Sequence, residues 1–554
     1  MKKLLKKVIL GIMSIRFKLF EKDLKRPARK QSEFLLNILA RNSDTEYGRR
    51  YGFASIHSVE EFQKRVPVVE YDDIAGQINR MRKGEKGVMA SERTEYFGLT
   101  SGTTNEPKFI PITPACRRLK KRVTDLWAYR LSQDHPEVLE GKILVVVNTA
   151  VKGHTEGGIP YGSESGYAYM NLPGIIKKMH VVPCRVFDIG DYRVRYYCIL
   201  RFAVEHRDVT MAASPNPNTL FILSQYLQEW KDDIIEDVRK GVISAKLDMP
   251  LDIRRHLEKL CHASPGRADE LEDVFRARGT LYPKDIWPRI CLVSCWKGGS
   301  MKVYLDEMEK YFGKVSVRDF GYIATEGRMS LPVDDSRADG ILAINSNFYE
   351  FIPSSQIDKE QPDILSCERL EKGEQYYVVL TTPGGLYRYQ MNDIVEVTGY
   401  YHSTPLVEFI QKGSNVSDLS GEKLYESQVE EAMREAAREN HLLIHFFTCV
   451  ASGGSRPHYE FLVEFEEEPG NEAKKQLLFS LEEQLSAQNY LYEKRRKQDL
   501  LRPPVLRILS PGDFKKYRSK ATNSSNNDTQ FKPSKLVRDT SFLDEFQVEE
   551  IIEL

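Results

Sequence analysis

No apolar run in the 554-residue chain reaches the roughly 18–20 residues that a bilayer-spanning helix needs, so no stable membrane insertion is expected. Cysteine is scarce: eight residues, at positions 116, 184, 198, 261, 291, 295, 367 and 449. Scattered so thinly, they do not make a disulfide framework, and they fit a reducing compartment such as the cytoplasm. Neither sign of charge dominates, with 80 basic and 80 acidic side chains. A dedicated nucleic-acid binder carries a strong basic excess, so nucleic acid is not an expected partner. The chain lacks an internal repeat, a Gly-four-Gly-Lys-Ser/Thr phosphate loop, a Gly-x-Ser-x-Gly elbow and a His-Glu-x-x-His helix. What is present is an ordinary globular mixture, 41% apolar and 29% charged, long enough for one large and one small domain.

The first 30 residues hold eleven Lys or Arg against Glu21 and Asp23, a local net of +9. Leu4, Leu5, Val8, Ile9, Ile12, Ile15 and Leu19 recur at helical spacing, which predicts a basic amphipathic helix. The first expectation is that its apolar stripe covers the core while the basic face meets water. The second is reversible, peripheral contact of residues 1–30 with an anionic membrane surface. The short apolar core Val8–Met13 is followed by Arg16 and Lys18 with no small-residue cleavage site, and with no transit signal either this suits a bacterial cytoplasm.

Further along, 30–65 reads as helical, with Asp44-Thr45-Glu46 as a cap and first turn, and Pro67–Tyr71 as extended. Apolar runs of strand length at 143–147, 290–294, 341–344 and 376–380 suit strands buried on both faces. Helical segments near 116–132, 217–240, 252–262 and 302–312 separate them. The fold class expected is therefore α/β, with a large N-terminal domain over 1–410. Around Lys412-Gly413-Ser414-Asn415 the texture changes, marking a linker at 411–415. A smaller α+β unit follows over 416–554, with helices at 425–440 and 472–488, strands at 446–451, 459–465 and 505–508, and a polar loop at 522–528. His441 and His445 are expected in the core or at its boundary rather than on a metal, and Cys291 and Cys295 as buried thiols.

The stretch Thr100-Ser101-Gly102-Thr103-Thr104-Asn105-Glu106-Pro107-Lys108 is the most informative. Its hydroxyls and backbone N–H groups are suited to phosphate oxygens, Gly102 permits close approach, and Lys108 adds a point charge. A plain surface turn is an equal reading. Two later segments raise the first. Gly321-Tyr322-Ile323-Ala324-Thr325-Glu326-Gly327 sets an aromatic ring, a hydroxyl and a carboxylate in one loop. There Glu326 is a natural oxygen ligand for Mg²⁺, and Tyr322 is able to stack on a base; a solvated turn is the alternative. In Tyr387-Arg388-Tyr389-Gln390-Met391-Asn392-Asp393, Asp393 is able to accept from ribose hydroxyls or simply to close a turn. The Gly-rich Thr155–Ser163 either edges a substrate pocket or is a plain loop.

In order and spacing, these three segments resemble the nucleotide motifs of the Gretchen Hagen acyl-acid amido synthetases, the auxin-responsive enzymes of the adenylate-forming superfamily. Phe62–Pro67, Ser294–Ser300, Phe348–Pro353, Asn489-Tyr490 and Gln530–Pro533 carry the same resemblance, which extends over essentially the whole chain. It implies an enzyme that activates a carboxylic acid with ATP and Mg²⁺, releases pyrophosphate, and transfers the acyl group to an amino acid amine with release of AMP. By the same resemblance Ser101, Gly102, Thr103, Thr104 and Lys108 hold the phosphates. Gly298 and Gly299 lie along the adenine, and Tyr322, Ala324 and Thr325 contact the nucleotide. Glu326 holds the metal and Asp393 the ribose. Lys423, beyond the hinge, and Lys532, near the C-terminus, are with Lys108 the catalytic lysines, the first two on a mobile lid domain.

Three departures stand out: Gln411 where an arginine is expected, Asn and Ser where glycines are expected at 522–529, and Ser534-Lys535 in place of a proline-adjacent arginine. A thioester-forming acyl-CoA ligase shares the first half-reaction, and a catalytically weak nucleotide-binding regulator is a reading of another class. The acid is expected to be aromatic or medium-length aliphatic, in a pocket built from 120–220 and 320–355. A monomer is the default.

Overall fold

The computed structural model describes residues 2–100, 107–298, 307–357, 359–413, 416–420, 422–453, 457–525 and 533–554; for 2–5 and 521–525 it describes the backbone only. The chain divides into two compact units, Met1–Phe409 and Ile410–Leu554.

In the first unit, strands Lys142–Val145, Val209–Ala213, Leu292–Ser294 and Ser316–Arg318 form a parallel sheet in that order. Alternate residues serve two cores: Met211 and Ala213 join one, Ala212 the other. Helices Tyr192–Glu205, Pro217–Glu229, Lys231–Lys240 and Pro265–Arg278 cover the second core. This is why the strands read as continuous apolar runs.

A six-stranded antiparallel sheet runs in the order Phe348–Pro353, Gln375–Thr381, Tyr389–Tyr401, Thr404–Lys412, Gly340–Leu342, Ser330–Leu331. The apolar runs at 341–344 and 376–380 belong here, not to a parallel layer. They are apolar because this sheet is also covered on both faces, with every residue from Tyr376 to Thr381 buried. Gln31, on helix Pro27–Arg41, pins one edge: its amide accepts from the Tyr349 N–H at 2.8 Å and donates to the Asn347 carbonyl at 2.8 Å. A third sheet orders Lys108–Ile112, Tyr96–Thr100, Pro160–Gly162 and Gly153–His154.

The second unit is built on a five-stranded mixed sheet, in the order Leu536–Val537, Ile444–Ser452, His458–Phe465, Val505–Leu509, Val548–Glu553. Helices Glu426–Glu439 and Asn471–Gln488 pack on one face through Val429, Met433, Leu478 and Leu481. Phe446, Phe514 and Phe546 close the other. A two-stranded ribbon, Val416–Ser417 with Leu424–Tyr425, lies near its start.

Several local expectations hold. The Thr45 side chain caps helix Glu46–Arg50 by accepting from the Gly48 N–H at 2.9 Å. Others are corrected. The first helix, Lys2–Asp23, does not bury the stripe Val8, Ile12, Ile15 and Leu19; all four are exposed, and Phe17, Phe20 and Leu24 make the core contacts instead. Aromatic volume on the opposite face outweighs a longer aliphatic stripe. Residues 522–525 continue helix Asp513–Ser525 rather than forming a loop. His441 and His445 are exposed, and Tyr71 opens helix Tyr71–Arg82. Of the helix expected at 302–312, Met308–Phe312 is described.

Candidate active site

Strands Tyr96–Thr100 and Lys108–Ile112 form an antiparallel hairpin whose last pair is Thr100 with Lys108. Ser101, Gly102, Thr103 and Thr104 lie in the connection, outside the described residues. The Lys108 ammonium stands over the Tyr71 ring at 5.5 Å, and the Tyr71 hydroxyl accepts from the Phe109 N–H at 2.8 Å. The Gly-rich segment 155–163 is drawn into the same sheet: Tyr161 pairs beside Phe97, and its ring meets Phe109 at 5.2 Å.

The turn that carries Tyr322, Ala324, Thr325 and Glu326 follows the last parallel strand, the usual place for a ligand-binding loop in an open α/β sheet. Asp319 holds its base. Its buried carboxylate accepts from the Gly321 N–H at 2.5 Å and the Lys297 N–H at 2.6 Å. Trp127 donates to its carbonyl at 3.0 Å, and Trp296 donates to the Gly321 carbonyl at 3.2 Å. Segments 296–298 and 319–321 are thereby clasped together. The turn closes through Ala324 N–H to the Gly327 carbonyl at 2.9 Å. Lys120 donates to the Thr325 carbonyl at 2.5 Å.

Gly98 packs directly against Thr325: a Cβ there would lie 2.3 Å from Thr325 Cγ2, so one of the two would have to shift. The first-motif hairpin and the second-motif turn are therefore in direct contact. A Cβ on Gly298 would lie 3.2 Å from Glu408 Oε1 and 3.4 Å from the Phe409 carbonyl oxygen. Gly299 lies outside the described residues.

Asp393 is not a turn residue. It sits inside strand Tyr389–Tyr401, at a bulge where Tyr377 pairs with Ile394 but Val379 pairs with Gln390. Asn392 takes the left-handed conformation there, with φ 58°. Bulges re-aim side chains, and this one brings the Asp393 carboxylate to the Tyr322 hydroxyl, which donates to Oδ2 at 2.6 Å. The Tyr322 ring is no open platform: it is buried and stacked on Phe409 at 5.7 Å between centroids. Burial, then the Asp393 and Glu326 carboxylates, hold the Tyr322 phenol well above its ordinary range. Burial and the same two carboxylates raise Tyr389. Glu326, far from a solvated turn residue, is 9% exposed. Two buried carboxylates and two neutral phenols thus share one neighbourhood, beside the hairpin end. Among the described residues no group of three His, Cys, Asp or Glu side chains converges. A Mg²⁺ that shares its ligands with phosphate oxygens needs only one or two carboxylates, so a buried Glu326 fits it.

The Asp319 clasp was not singled out in the sequence, and neither was a buried strut on the other side of Asp393. Arg388, at φ 48°, pairs with Glu350 at 3.0 Å and donates to the carbonyls of Gln63 at 2.9 Å and Val66 at 2.7 Å. Gln63 donates to Glu350 Oε1 at 2.9 Å. The Phe62–Pro67 and Phe348–Pro353 motifs are two ends of this one strut. Arg388 stands within the third motif, but its partner Glu350 lies 38 residues away.

Asp319 yields a pH prediction. Burial pushes its carboxyl up to about 6, although two backbone N–H groups favour the charge. Its folded value lies above the roughly 3.9 of an unfolded aspartate. Stability from this group is complete below the unfolded value and is lost as pH rises from about 4 through 6. The urea midpoint of Asp319→Asn relative to the parent should therefore climb between pH 4 and pH 7. A pH-independent difference would refute the assignment.

In the second unit, Lys423 is exposed and left-handed, with φ 45°. Asn489 donates to the carbonyls of Glu422 at 3.1 Å and Lys423 at 3.2 Å. Burial opposes the charge on Glu422, yet hydrogen bonds from Tyr459, Leu419 and Ser420 hold its carboxyl below the usual range. Gln411 is buried and accepts from the Ser427 N–H at 2.9 Å, so the departure from arginine serves the start of helix Glu426–Glu439. Ser534 donates to Glu426 at 2.8 Å, and Lys535 donates to the Phe447 carbonyl at 2.9 Å. Lys532 lies outside the described residues.

Three family models match in succession: the GH3 family N-terminal domain over 16–317, its central domain over 340–412 and its C-terminal domain over 427–541. The chain belongs to the GH3 family. Similar proteins include an indole-3-acetic acid-amido synthetase of Arabidopsis thaliana, GH3.10, 26% identical with 95% of each chain covered. A jasmonoyl-L-amino acid synthetase of Nicotiana attenuata, JAR6, is 25% identical, covering 93% of this chain and 92% of its own. The solved GH3.15 acyl acid amido synthetase superposes with a TM-score of 0.84 at 23% identity, over 96% of this chain and 95% of that one, which shows the fold. These relatives are plant proteins, and they lend no support to the expectation of a bacterial source.

Proposed function

We propose that this chain is an ATP-dependent acyl acid–amino acid ligase. The observation that carries the reading is the junction of the three motifs: the Gly98–Thr325 contact joins the first to the second, and the Tyr322–Asp393 hydrogen bond joins the second to the third. Family membership across the chain supports the same chemistry, since the named relatives are amido synthetases. In the first step the acid's carboxylate oxygen attacks the α-phosphorus of ATP and pyrophosphate leaves. In the second the amino acid's amine attacks the acyl carbon, loses a proton, and AMP leaves.

In this reading Ser101, Gly102, Thr103, Thr104 and Lys108 hold the phosphates, Gly298, Gly299, Ala324 and Thr325 border the nucleotide, and Asp393 accepts from the ribose hydroxyls. Tyr322 acts by fixing Asp393 and lending an edge to the nucleotide. Mg²⁺ at Glu326 would neutralise charge gathering on the phosphates. Residues 1–410 bind ATP and acid, 411–415 are the hinge, and 416–554 are the lid that brings Lys423 and Lys532 to the reaction and keeps water from the adenylate. All eight cysteines are free, which supports a reducing, cytoplasmic setting.

Acid-dependent exchange of labelled pyrophosphate into ATP tests the first step. Exchange is expected with at least one carboxylic acid and none without acid; silence with every acid, from a protein that melts normally, would overturn the reading. The motif junction adds a second expectation. Gly98→Ala should lower exchange by about 10–100-fold by moving the turn under Thr325. Thr325→Ser in the same chain, which deletes the clashing Cγ2, should restore part of it; no loss in the single variant would contradict the contact's role.

A further inference from the structure

The first helix has two apolar faces, and the protein uses one. Phe17, Phe20 and Leu24 point inward: the Phe17 ring meets Tyr129 at 5.5 Å, and the Leu24 carbonyl accepts from the Thr404 hydroxyl at 2.8 Å. Val8, Ile12, Ile15 and Leu19, spaced by three or four residues, form the opposite face. They are 51%, 49%, 62% and 59% exposed. Four aliphatic side chains in one continuous stripe are not the scattered surface leucines of an ordinary domain.

The segment's own exposed charges around the stripe are of one sign, and one of them, Arg16, pairs with Asp125 of helix Pro114–Asp134 at 3.9 Å. Lys7, Arg16, Lys18, Lys22, Lys25 and Arg26 are exposed. The two acidic residues of the segment are occupied: Glu21 accepts from the Tyr401 hydroxyl at 2.9 Å, and Asp23 pairs with Lys30 at 3.4 Å. Lys18 and Lys22 follow Ile15 and Leu19 by three residues, and so border the stripe. Among the described residues no helix is long and apolar enough to cross a membrane.

We propose that this face docks, in the plane of the surface, on an anionic lipid bilayer. The aliphatic stripe enters the boundary between head groups and acyl chains, and the flanking lysines and arginines meet lipid phosphates or carboxylates. A second copy of the chain would present the same cations, whereas an anionic bilayer complements them. The proposal stands apart from the ligase reading, since it uses none of the residues of the candidate active site.

The test is sedimentation of the full chain with vesicles of phosphatidylcholine alone or with a third of phosphatidylglycerol, at low and high salt. The parent is expected to pellet with the anionic vesicles at low salt, at least about tenfold above its level with neutral ones, and to be released by salt. The doubly substituted Ile12→Asp/Ile15→Asp chain should lose that binding, with unchanged melting and unchanged acid-dependent exchange, because both positions are exposed. Absence of pelleting above the lipid-free level would overturn the proposal. Equal binding by parent and variant would overturn it too, because the stripe would then play no part. A dimer in light scattering that the substitutions dissolve, without lipid binding, would assign the face to a second copy instead.

Discussion

Asp393→Ala is expected to raise the ATP concentration needed for half-maximal pyrophosphate release by about 10–100-fold. A buried carboxylate that accepts from ribose hydroxyls makes charge-assisted bonds of about 1.5–3 kcal/mol, and each 1.4 kcal/mol is tenfold in affinity. The strand bulge at 391–393 and the 2.6 Å bond from Tyr322 hold Asp393 in one orientation, so little of that energy is spent on ordering it. Tyr322→Phe keeps the ring on Phe409 and removes only the hydroxyl. Its effect should be smaller, about three- to tenfold on the same quantity, with the maximal rate nearly unchanged. Titrating ATP at saturating acid reads both. A normal ATP requirement in Asp393→Ala would remove the ribose role, while a large fall in melting temperature would show a structural role instead.

The second large effect is expected at Arg388. The pair with Glu350 is buried, with both side chains at 3% exposure or less, and three polar groups converge on it. Removing one partner of such a pair costs about 3–5 kcal/mol, because the other charge is left without its counter-ion. Arg388→Leu should therefore lower the denaturant midpoint of the first unit markedly. Replacing both partners, as Arg388→Met with Glu350→Leu, should recover much of the loss, since no buried charge remains. If the double variant is as unstable as the single one, the carbonyls of Gln63 and Val66, left without their donor, matter more than the ion pair. If the single variant is as stable as the parent, the strut has no structural role.

The sequence carried the α/β class, the small second unit and the strands at 143–147 and 290–294, because burial on both faces writes itself as an unbroken apolar run. The runs at 341–344 and 376–380 also mark buried strands, but of the antiparallel sheet. A run records cover on two faces and not the direction of the partner strand, and in this chain an antiparallel sheet is covered as fully as the parallel one. The first helix failed in a related way. Periodicity finds an apolar stripe but does not say which of two stripes wins the core, and here the phenylalanines did.

At the site, the sequence offered Thr100–Lys108 and Tyr322–Glu326 as polar and aromatic residues in short loops, and Asp393 as a ribose acceptor or a turn residue; the structure sets Asp393 inside a strand. Their joining was not legible. It rests on a bulge, a glycine contact and a carboxylate clasp at Asp319, each made between residues far apart in sequence. Tyr322 illustrates the limit. Its ring had the chemistry to stack on a base, but the structure places that ring on Phe409 and gives its hydroxyl to Asp393.

The most direct measurement is mass spectrometry of the products formed from ATP, Mg²⁺, a panel of carboxylic acids and a mixture of amino acids with coenzyme A. An amide of one acid with one amino acid, formed with stoichiometric AMP, is the result predicted here. A coenzyme A thioester with no amide would contradict the account and make the chain a thioester-forming ligase.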